Sequence, residues 1–305
     1  MHIPVLKKEV LEILDPKPNQ NFVDTTFGEG GHTVEILERT RPNGKVLALE
    51  VDPMLFKKGK DLEKKFSGRL ILKNESFANL KEIVKKENFK EVSGVLFDLG
   101  ISSWHLEESK RGFTFKKDEP LIMRYDNDIS KLTAIDVLNN FSEREIEKIL
   151  RELGQENFAK RIANEIVKER KEKKILTTFH LVEIVKKSLP LREIKKRKIH
   201  FATKVFLALR IFVNQELEKL KEGLKGALEI IRPGGKVLVI SFHSLEDKIV
   251  KNFFKEKERE GTITILTKKP IVPSNSEILK NKRSRSAKLR AVIKNEYSKT
   301  NHSFI

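Results

Sequence analysis

The 305-residue sequence contains no cysteine, one tryptophan, two tyrosines and only three glutamines. The lack of cysteine excludes disulfides, thiolate catalysis and cysteine-bound zinc, and the seven histidines are too scattered to indicate a metal site. No apolar run approaches the roughly 18 residues of a membrane-spanning helix, and the start lacks the pattern of a signal peptide. We therefore expect a cytoplasmic, soluble protein that binds neither metal nor membrane.

Positive charge is in large excess. Sixty-two lysines and arginines face 44 acidic residues, which gives a formal net charge of +18. Such an excess favours a polyanionic partner. An anionic membrane surface would also fit the charge, but since no membrane binding is expected, we predict nucleic acid. Because 38% of the residues are hydrophobic and recur with clear periods, a disordered chain is excluded.

Short apolar runs alternate with helical stretches at both ends of the chain. The pattern predicts a parallel sheet covered by helices, interrupted from about residue 105 to 200 by helical stretches alone. We therefore expect a discontinuous α/β domain over 1–106 and 201–305, with a helical insertion over 107–200 as its substrate-recognition domain. Strands are predicted at 21–27, 45–51, 69–74, 92–100 and 236–242, and one long helix at 202–231.

Three glycines, Gly28, Gly30 and Gly31, follow the first predicted strand directly. Glycine between a strand and a helix permits positive φ and close approach of a ligand to the backbone, although a sharp turn without a ligand has the same pattern. Glu50 ends the next strand, where dinucleotide-binding folds place the acid that binds ribose. Thr33 stands where the NAD fingerprint requires a third glycine, so the loop instead resembles the first motif of S-adenosylmethionine-dependent methyltransferases.

Asp98 ends the fourth predicted strand, in "VLFDLGISS". The carboxyl ends of parallel strands form the ligand crevice of such folds, which makes Asp98 a candidate site residue, with a helix N-cap as the alternative. His243 and Asp247 lie in "SFHSLED", after the fifth strand, and are further candidates. For His243, a loop histidine bonded to the backbone is the alternative.

Together with "RGFTF", "MRYD", "FLALRIFVNQEL" and "NKRSRSAKLR", these motifs resemble the bacterial 16S rRNA cytosine-N4 methyltransferase family, RsmH/MraW, in order and over essentially the whole length. The resemblance implies a class I (Rossmann-like) methyltransferase fold. It also implies S-adenosyl-L-methionine as cofactor and methylation of N4 of a P-site cytosine in the decoding centre of 16S rRNA. The substrate would be presented within an assembling small ribosomal subunit.

By matching positions, the resemblance implies cofactor contacts at Gly30, Gly31, His32, Glu50, Phe77, Asp98 and His105. The sequence departs from the family at several of its motifs. Glu50 replaces the usual aspartate and His105 a usual glutamine, while Ile122, Gln155 and Leu207 replace polar residues. The amine of cytosine needs an oxygen acceptor for its hydrogens, and we assign catalysis to Asp98, His243 and Asp247, with Asp98 as the first candidate.

Two segments are rich in positive charge. Residues 280–294 hold seven basic residues and no acid, and residues 165–198 hold 12 basic and five acidic residues. A solvated helix face is one explanation and phosphate binding is the other. Phe113 and Phe115 either stack on an unpaired base or belong to the core. The predicted RNA-binding residues are Arg111, Arg124, Arg283, Arg285, Lys288 and Arg290.

Two other functions stay open. The same sequence suits a ribosome-assembly factor that binds RNA and cofactor without transferring methyl, although Gly30, Gly31 and Asp98 argue against it. A nucleotide-dependent oxidoreductase is disfavoured by the missing third glycine and by the positive charge.

Overall fold

The computed structural model describes residues 4–296, which form two compact units. The sheet unit contains residues 1–100 and 217–305 of the chain, and the helical unit contains residues 101–216. None of the helices within 4–296 is long and apolar enough to span a membrane.

The sheet unit contains seven strands in the order β3-β2-β1-β4-β5-β7-β6. Strands β1 to β5 pair in parallel, whereas β7 is antiparallel to both of its neighbours. This topology confirms the predicted class I, Rossmann-like fold. The strands are β1 (Asn21–Asp24), β2 (Val46–Leu49), β3 (Leu70–Lys73), β4 (Val92–Asp98), β5 (Ile231–Ser241), β6 (Ile263–Ile265) and β7 (Lys288–Lys294).

Helices cover both faces of the sheet. Alternate residues of β4 belong to different apolar clusters, Val95 and Phe97 to one and Leu96 to the other, because successive side chains of a strand point to opposite faces. The helices are α1 (Lys7–Leu14), α2 (Gly31–Arg39), α3 (Pro53–Lys65), α4 (Leu80–Lys86), α12 (Glu216–Ile230), α13 (Ser244–Arg259) and α14 (Asn275–Lys280).

The helical unit has its own apolar core and contains no β-strand within residues 101–216, as predicted for the insertion. Its helices are α5 (Ser103–Glu107), α6 (Ala134–Asn140), α7 (Glu143–Glu152), α8 (Ala159–Glu172), α9 (Thr178–Ser188), α10 (Leu191–Lys196) and α11 (Thr203–Asn214). Two of them, α6 and α7, begin with capping boxes, in which the first side chain and the acid three residues later satisfy each other's backbone N–H groups.

The single long helix predicted over 202–231 is two helices. Gln215 adopts a left-handed conformation with φ 54° and ends α11, and α12 starts at the next residue. Val205, Phe206 and Leu209 of α11 lie in the core of the helical unit. The observed unit therefore spans 101–216, whereas the sequence placed the insertion at 107–200.

Two features of the sheet differ from the prediction. β5 begins at Ile231, five residues before the predicted start, and its pairing with β4 is irregular where Pro233 and Gly234 interrupt the run. β7 was not predicted as a strand. Its sequence alternates only at the start, Lys288-Leu289-Arg290-Ala291, and continues with Val292 and Ile293, so that Leu289 to Val292 are all buried and the period-two pattern is weak.

Candidate active site

The order of the strands reverses between β1 and β4, and ligands of doubly wound folds bind at the carboxyl ends of the strands at such a point. Most of the predicted site residues follow the carboxyl ends of strands in the sheet unit. They are Gly30, Gly31 and His32 after β1, Glu50 after β2, Phe77 after β3, Asp98 at the end of β4, and His243 and Asp247 after β5.

The glycine loop is shaped by packing as well as by space for a ligand. Gly30 precedes α2 with φ 78°, and a Cβ atom there would lie 2.8 Å from Leu62 and 2.9 Å from Phe27. A Cβ at Gly30 would therefore meet the protein's own core, so the packing of the loop requires glycine here irrespective of a ligand. Gly28 differs: its φ is 56°, but a Cβ would have no neighbour closer than 3.9 Å.

A buried aspartate joins β1 to α2. Asp24 accepts a hydrogen bond from the Thr33 hydroxyl at 2.6 Å and one from the backbone N–H of Thr26 at 3.1 Å. Thr33 therefore stands in place of a third glycine for a structural reason. Thr26 has a second task, because its hydroxyl accepts the backbone N–H of Asp98 at 2.7 Å. The roles of both threonines were missed, since only the strand register brings Thr26 to Asp98.

Glu50 is buried, and both carboxylate oxygens accept backbone hydrogen bonds. One oxygen accepts the N–H of Gly28 at 2.9 Å and the other that of Asp52 at 2.8 Å. Burial raises the pKa of Glu50 to about 8, against the opposing effect of these two bonds. Glu50 thus holds the glycine loop, while each oxygen keeps a lone pair for a further donor.

Among the acids Asp24, Glu50 and Asp98 at this edge, Asp98 has the fewest hydrogen bonds to its carboxylate. Its Oδ1 atom is buried and has no hydrogen-bond partner among residues 4–296, and Oδ2 lies 3.7 Å from Nε2 of His32. Burial raises the pKa of Asp98 to about 8, and the nearby negative charges of Asp24 and Glu246 add to the effect. A buried acid with an unmatched oxygen costs stability and marks a functional site.

Two further predicted residues border this edge. His32, in the first turn of α2, is 5% exposed. Phe77 lies in a 3₁₀ turn after β3 and packs edge-on against Phe97 of β4, with ring centroids 5.6 Å apart. Gly223 of α12 permits the close approach, because a Cβ there would lie 2.7 Å from the Phe77 ring.

His243 caps α13. The alternative interpretation of this residue, a histidine bonded to the backbone, therefore describes one of its two ring nitrogens. Its Nδ1 accepts the backbone N–H of Glu246 at 3.4 Å, while the Glu246 carboxylate accepts the N–H groups of Phe242 and His243. The other ring nitrogen, Nε2, lies 3.1 Å from Glu246 Oε1 without the angle of a hydrogen bond. The cap fixes the tautomer of a neutral ring, with the proton on Nε2.

Asp247 is engaged by cations of β7. It accepts hydrogen bonds from Arg290 Nε at 2.7 Å and from Lys288 Nζ at 3.3 Å. Burial alone would raise the pKa of Asp247, but the Arg290 guanidinium outweighs it and lowers that pKa. Asp247 is thus a structural link from α13 to β7, and the predicted RNA contact of Arg290 is corrected, since that side chain is 8% exposed.

The other basic residues of the segment 280–294 differ in exposure, because some lie in a surface turn and others in β7. Arg283 and Arg285 lie in an exposed 3₁₀ turn over Lys282–Ser286, in which Ser284 is buried. Lys294 points inward, to the carbonyls of Leu228 and Ile231. Only part of the predicted phosphate-binding segment therefore presents cations to the solvent.

Three predicted residues belong to the helical unit. Arg111 and Arg124 are 4% and 5% exposed. The Arg111 guanidinium donates to the backbone carbonyls of Arg124 and Tyr125. The Arg124 guanidinium donates to the carbonyls of Leu132 and Val213. The predicted RNA contacts of both arginines are corrected accordingly: they hold loops together. His105 is buried and lies 2.7 Å from the Ser102 hydroxyl; its cofactor contact stays a prediction.

The residues at the sheet edge fit S-adenosylmethionine. Gly30 offers no side-chain cap to α2, so the first N–H groups of that helix suit the carboxylate of the cofactor. Glu50 suits hydroxyl groups of a ribose. The unmatched Oδ1 of Asp98 suits a hydrogen-bond donor or a positive charge.

Comparison with known proteins gives one consistent result. The model of the MraW methylase family matches residues 1–295. The chain is 45% identical over 289 residues to ribosomal RNA small subunit methyltransferase H of Persephonella marina, covering 95% of this chain and 97% of the relative. The proteins of the same name from Thermotoga neapolitana and Thermosipho melanesiensis are 44% and 47% identical, with 95% of this chain covered in both cases and 95% and 96% of the relative.

Proposed function

The chain belongs to the MraW methylase family, and we propose that it methylates the exocyclic N4 amine of a P-site cytosine in small-subunit rRNA. S-adenosylmethionine is the methyl donor. The substrate is the rRNA of a small subunit in assembly, in the cytoplasm.

The observation that carries the proposal is the state of Asp98. It ends β4 at the strand-order reversal, and its buried Oδ1 has no hydrogen-bond partner within residues 4–296. A carboxylate left unmatched in this position supports a role toward a donor that the chain itself does not supply.

The chemistry of cytosine explains why such an acceptor is needed. The lone pair of N4 is delocalised into the ring, so the amine is a weak nucleophile. When bound, the donor supplies an electrophilic methyl group on a positively charged sulfur. An oxygen that accepts an N4 hydrogen orients the amine and favours the positive charge that develops on nitrogen. Asp98 is the first candidate for this role. His243, the second, lacks a free acceptor, because its Nδ1 accepts the backbone N–H of Glu246 and its Nε2 carries the proton.

Cofactor binding is assigned to the remaining residues of the edge. The start of α2 at Gly31 and His32 holds the methionine portion, and Glu50 holds the ribose, supported by the same carboxylate's hydrogen bonds to the glycine loop. Phe77 and His105 complete the set by resemblance to the family. Asp247 acts through Arg290 and Lys288 and is a positioning residue in this proposal.

The experiment is mass spectrometry of 16S rRNA fragments after incubation with isotope-labelled S-adenosylmethionine. We expect one labelled cytosine, with the label on N4. Asp98→Asn should abolish labelling, whereas Asp61→Asn, at an exposed position of α3, is the matched control and should retain it. Label on another base or another atom would contradict the proposal.

An assembly factor without transferase activity is the alternative from another class. It predicts binding of both cofactor and rRNA with no label in any fragment. An oxidoreductase has less support, because Thr33 takes the place of the third glycine and is bonded to Asp24.

A further inference from the structure

Although the guanidinium groups of Arg111 and Arg124 are occupied by carbonyls within the helical unit, the surface of that unit is strongly basic, as the charge of residues 165–198 indicates. The short helix α10 and the two residues after it, 191–198, contain five cations and one acid, Glu193. The sequence did not predict a helix here, because Leu189-Pro190 ends α9 and only six residues follow before the next break.

Two inward contacts fix α10. Ile194 packs against the apolar core of the helical unit. Arg197, the residue after the helix, donates to both carboxylate oxygens of Glu156 at 2.7 and 2.8 Å. Glu156 is 1% exposed, and although burial opposes its charge, the Arg197 guanidinium lowers its pKa. A buried two-bond ion pair of this kind sets the orientation of a short element.

The outer side of the same segment is free for a partner. Arg192, Lys195, Lys196 and Lys198 are exposed, and within the described part of the chain none of the four forms an ion pair. Leu191 and Ile199, which flank them, are 74% and 41% exposed. Unmatched cations next to apolar side chains suit a polyanion that also carries apolar groups, and nucleic acid has this character.

A stack of three rings follows directly, with His200 exposed between Phe115 and Phe201, which are half-buried against the core of the helical unit. The His200 ring lies 4.3 Å from that of Phe115, at an interplanar angle of 12°, and 4.3 Å from that of Phe201, at 29°. His200 is exposed, and its Nδ1 accepts the backbone N–H of Ala202 at 3.3 Å, which leaves the Nε2 proton at the surface. Phe113, the other aromatic residue of "RGFTF", is instead a core residue stacked on Tyr125.

We propose that α10 and the Phe115–His200–Phe201 stack together form a binding site for an unpaired segment of RNA on the helical unit. The four cations contact successive phosphates. Because Phe115 and Phe201 cover both faces of the His200 ring, its exposed Nε2–H edge donates to the edge of a base, which only an unpaired strand offers free of pairing. The inference rests on the proposed function, since it gives the rRNA substrate a further contact in addition to Arg283 and Arg285.

The first test removes charge from the outer side alone. The variant Lys195→Gln/Lys196→Gln/Lys198→Gln leaves Arg197 and Ile194 in place. We expect weaker binding to 16S rRNA and a salt dependence whose log–log slope is smaller by about 2 to 3 units, at roughly 0.7 to 0.9 units for each lost phosphate contact.

The matched control removes three exposed charges from the far edge of the sheet unit. Lys85 and Lys86 are the last residues of α4 and Lys90 lies between α4 and β4, so all three are at the edge opposite the carboxyl ends of the strands. Lys85→Gln/Lys86→Gln/Lys90→Gln should keep the wild-type slope. Equal losses in both triple variants would show a general charge effect and overturn the inference.

The second test addresses the stack. His200→Ala should lower the affinity for a short single-stranded RNA roughly two- to tenfold, the loss expected for one hydrogen bond. The salt slope and the affinity for an RNA duplex should stay unchanged. An equal loss with duplex and single strand would show that His200 does not contact the edge of an unpaired base.

These outcomes are distinct from failure of the proposed function. If wild-type protein binds rRNA but labels no N4, the proposed reaction fails while the α10 tests keep their meaning. If the lysine variant on α10 labels and binds free rRNA as the wild type does, the inference fails and the reaction stands. Unchanged S-adenosylmethionine affinity and thermal midpoint are required of every variant, because they show that both units remain folded.

Discussion

The two units satisfy their buried charges in different ways. Near the carboxyl ends of its strands the sheet unit buries Asp24, Glu50 and the Oδ1 atom of Asp98 with no lysine or arginine partner among residues 4–296. Asp24 and Glu50 accept O–H and N–H donors, whereas Asp98 Oδ1 has no partner there. The helical unit buries Arg111 against backbone carbonyls and Arg124 against carbonyls and the carboxylate of Asp126. A positive ligand stabilises the charged form of a buried acid that has no cation, whereas an arginine of this kind has its donors occupied by the fold.

This difference decides which predicted residues keep a functional role. The methyl donor carries a positive sulfur, which suits the acids of the sheet edge. RNA is negative, and the cations available for it are those at the surface, such as Arg285 and Lys195. Sequence alone does not distinguish a buried arginine from an exposed one. Three of the six predicted RNA contacts, Arg111, Arg124 and Arg290, are therefore buried side chains that stabilise the fold.

The largest effect is expected at Asp98. Asp98→Ala should lower the methyl-transfer rate at least about a hundredfold, or roughly 2.7 kcal/mol, because the amine loses its acceptor. Rates with saturating cofactor, together with cofactor affinity by calorimetry, separate two roles. A parallel fall in affinity would make Asp98 a cofactor-binding residue and not the acceptor. Full activity would exclude both.

The glycine loop offers a matched pair of variants. Gly30→Val should destabilise the fold by about 2 to 3 kcal/mol, because its Cβ collides with Leu62 and Phe27 at positive φ. Gly28→Ala meets no close atom and should cost only about 1 kcal/mol of stability for its φ of 56°. Urea unfolding and calorimetry measure both. If Gly28→Ala binds S-adenosylmethionine as the wild type does, the open space at Gly28 is not ligand space.

Glycine spacing, strand alternation and the family motifs were enough to predict the five parallel strands, the helical stretch between the fourth and fifth of them, and the strand ends at which Glu50 and Asp98 lie. They were not enough for the partners of each side chain. The burial of Arg290 depends on β7 pairing with β5, and the contact of Thr26 with Asp98 depends on the register of β1 and β4. Both are pairings of residues distant in sequence, which local periodicity does not encode.

The raised pKa of Asp98, about 8, makes a prediction about pH. Only the folded protein holds this proton between about pH 4 and 8, so the contribution of Asp98 to stability becomes less favourable as pH rises through that range. Asp98→Asn removes the effect. The stability of the variant relative to wild type should therefore increase by about 1 to 2 kcal/mol between pH 6 and pH 8. Urea unfolding at the two pH values measures it, and a difference independent of pH would contradict the raised pKa.

Arg111 tests the idea that buried cations serve the fold. Arg111→Lys keeps the charge but loses the fixed pair of bonds to the carbonyls of Arg124 and Tyr125. We expect a loss of about 1 to 3 kcal/mol in the stability of the protein and no change in the salt slope of rRNA binding. A smaller slope with unchanged stability would show that Arg111 contacts RNA and does not stabilise the fold.

The smallest effect is expected in the C-terminal basic segment, where one charge is compared with another a few residues away. Arg285→Gln removes an exposed cation and should reduce the salt slope of rRNA binding by roughly 0.7 to 0.9 units, with the thermal midpoint unchanged. Arg290→Gln leaves Asp247 with Lys288 alone and should lower the midpoint, because a buried carboxylate loses its closest partner. If the two variants exchanged these signatures, the division of the segment into a surface turn and a structural strand would be wrong.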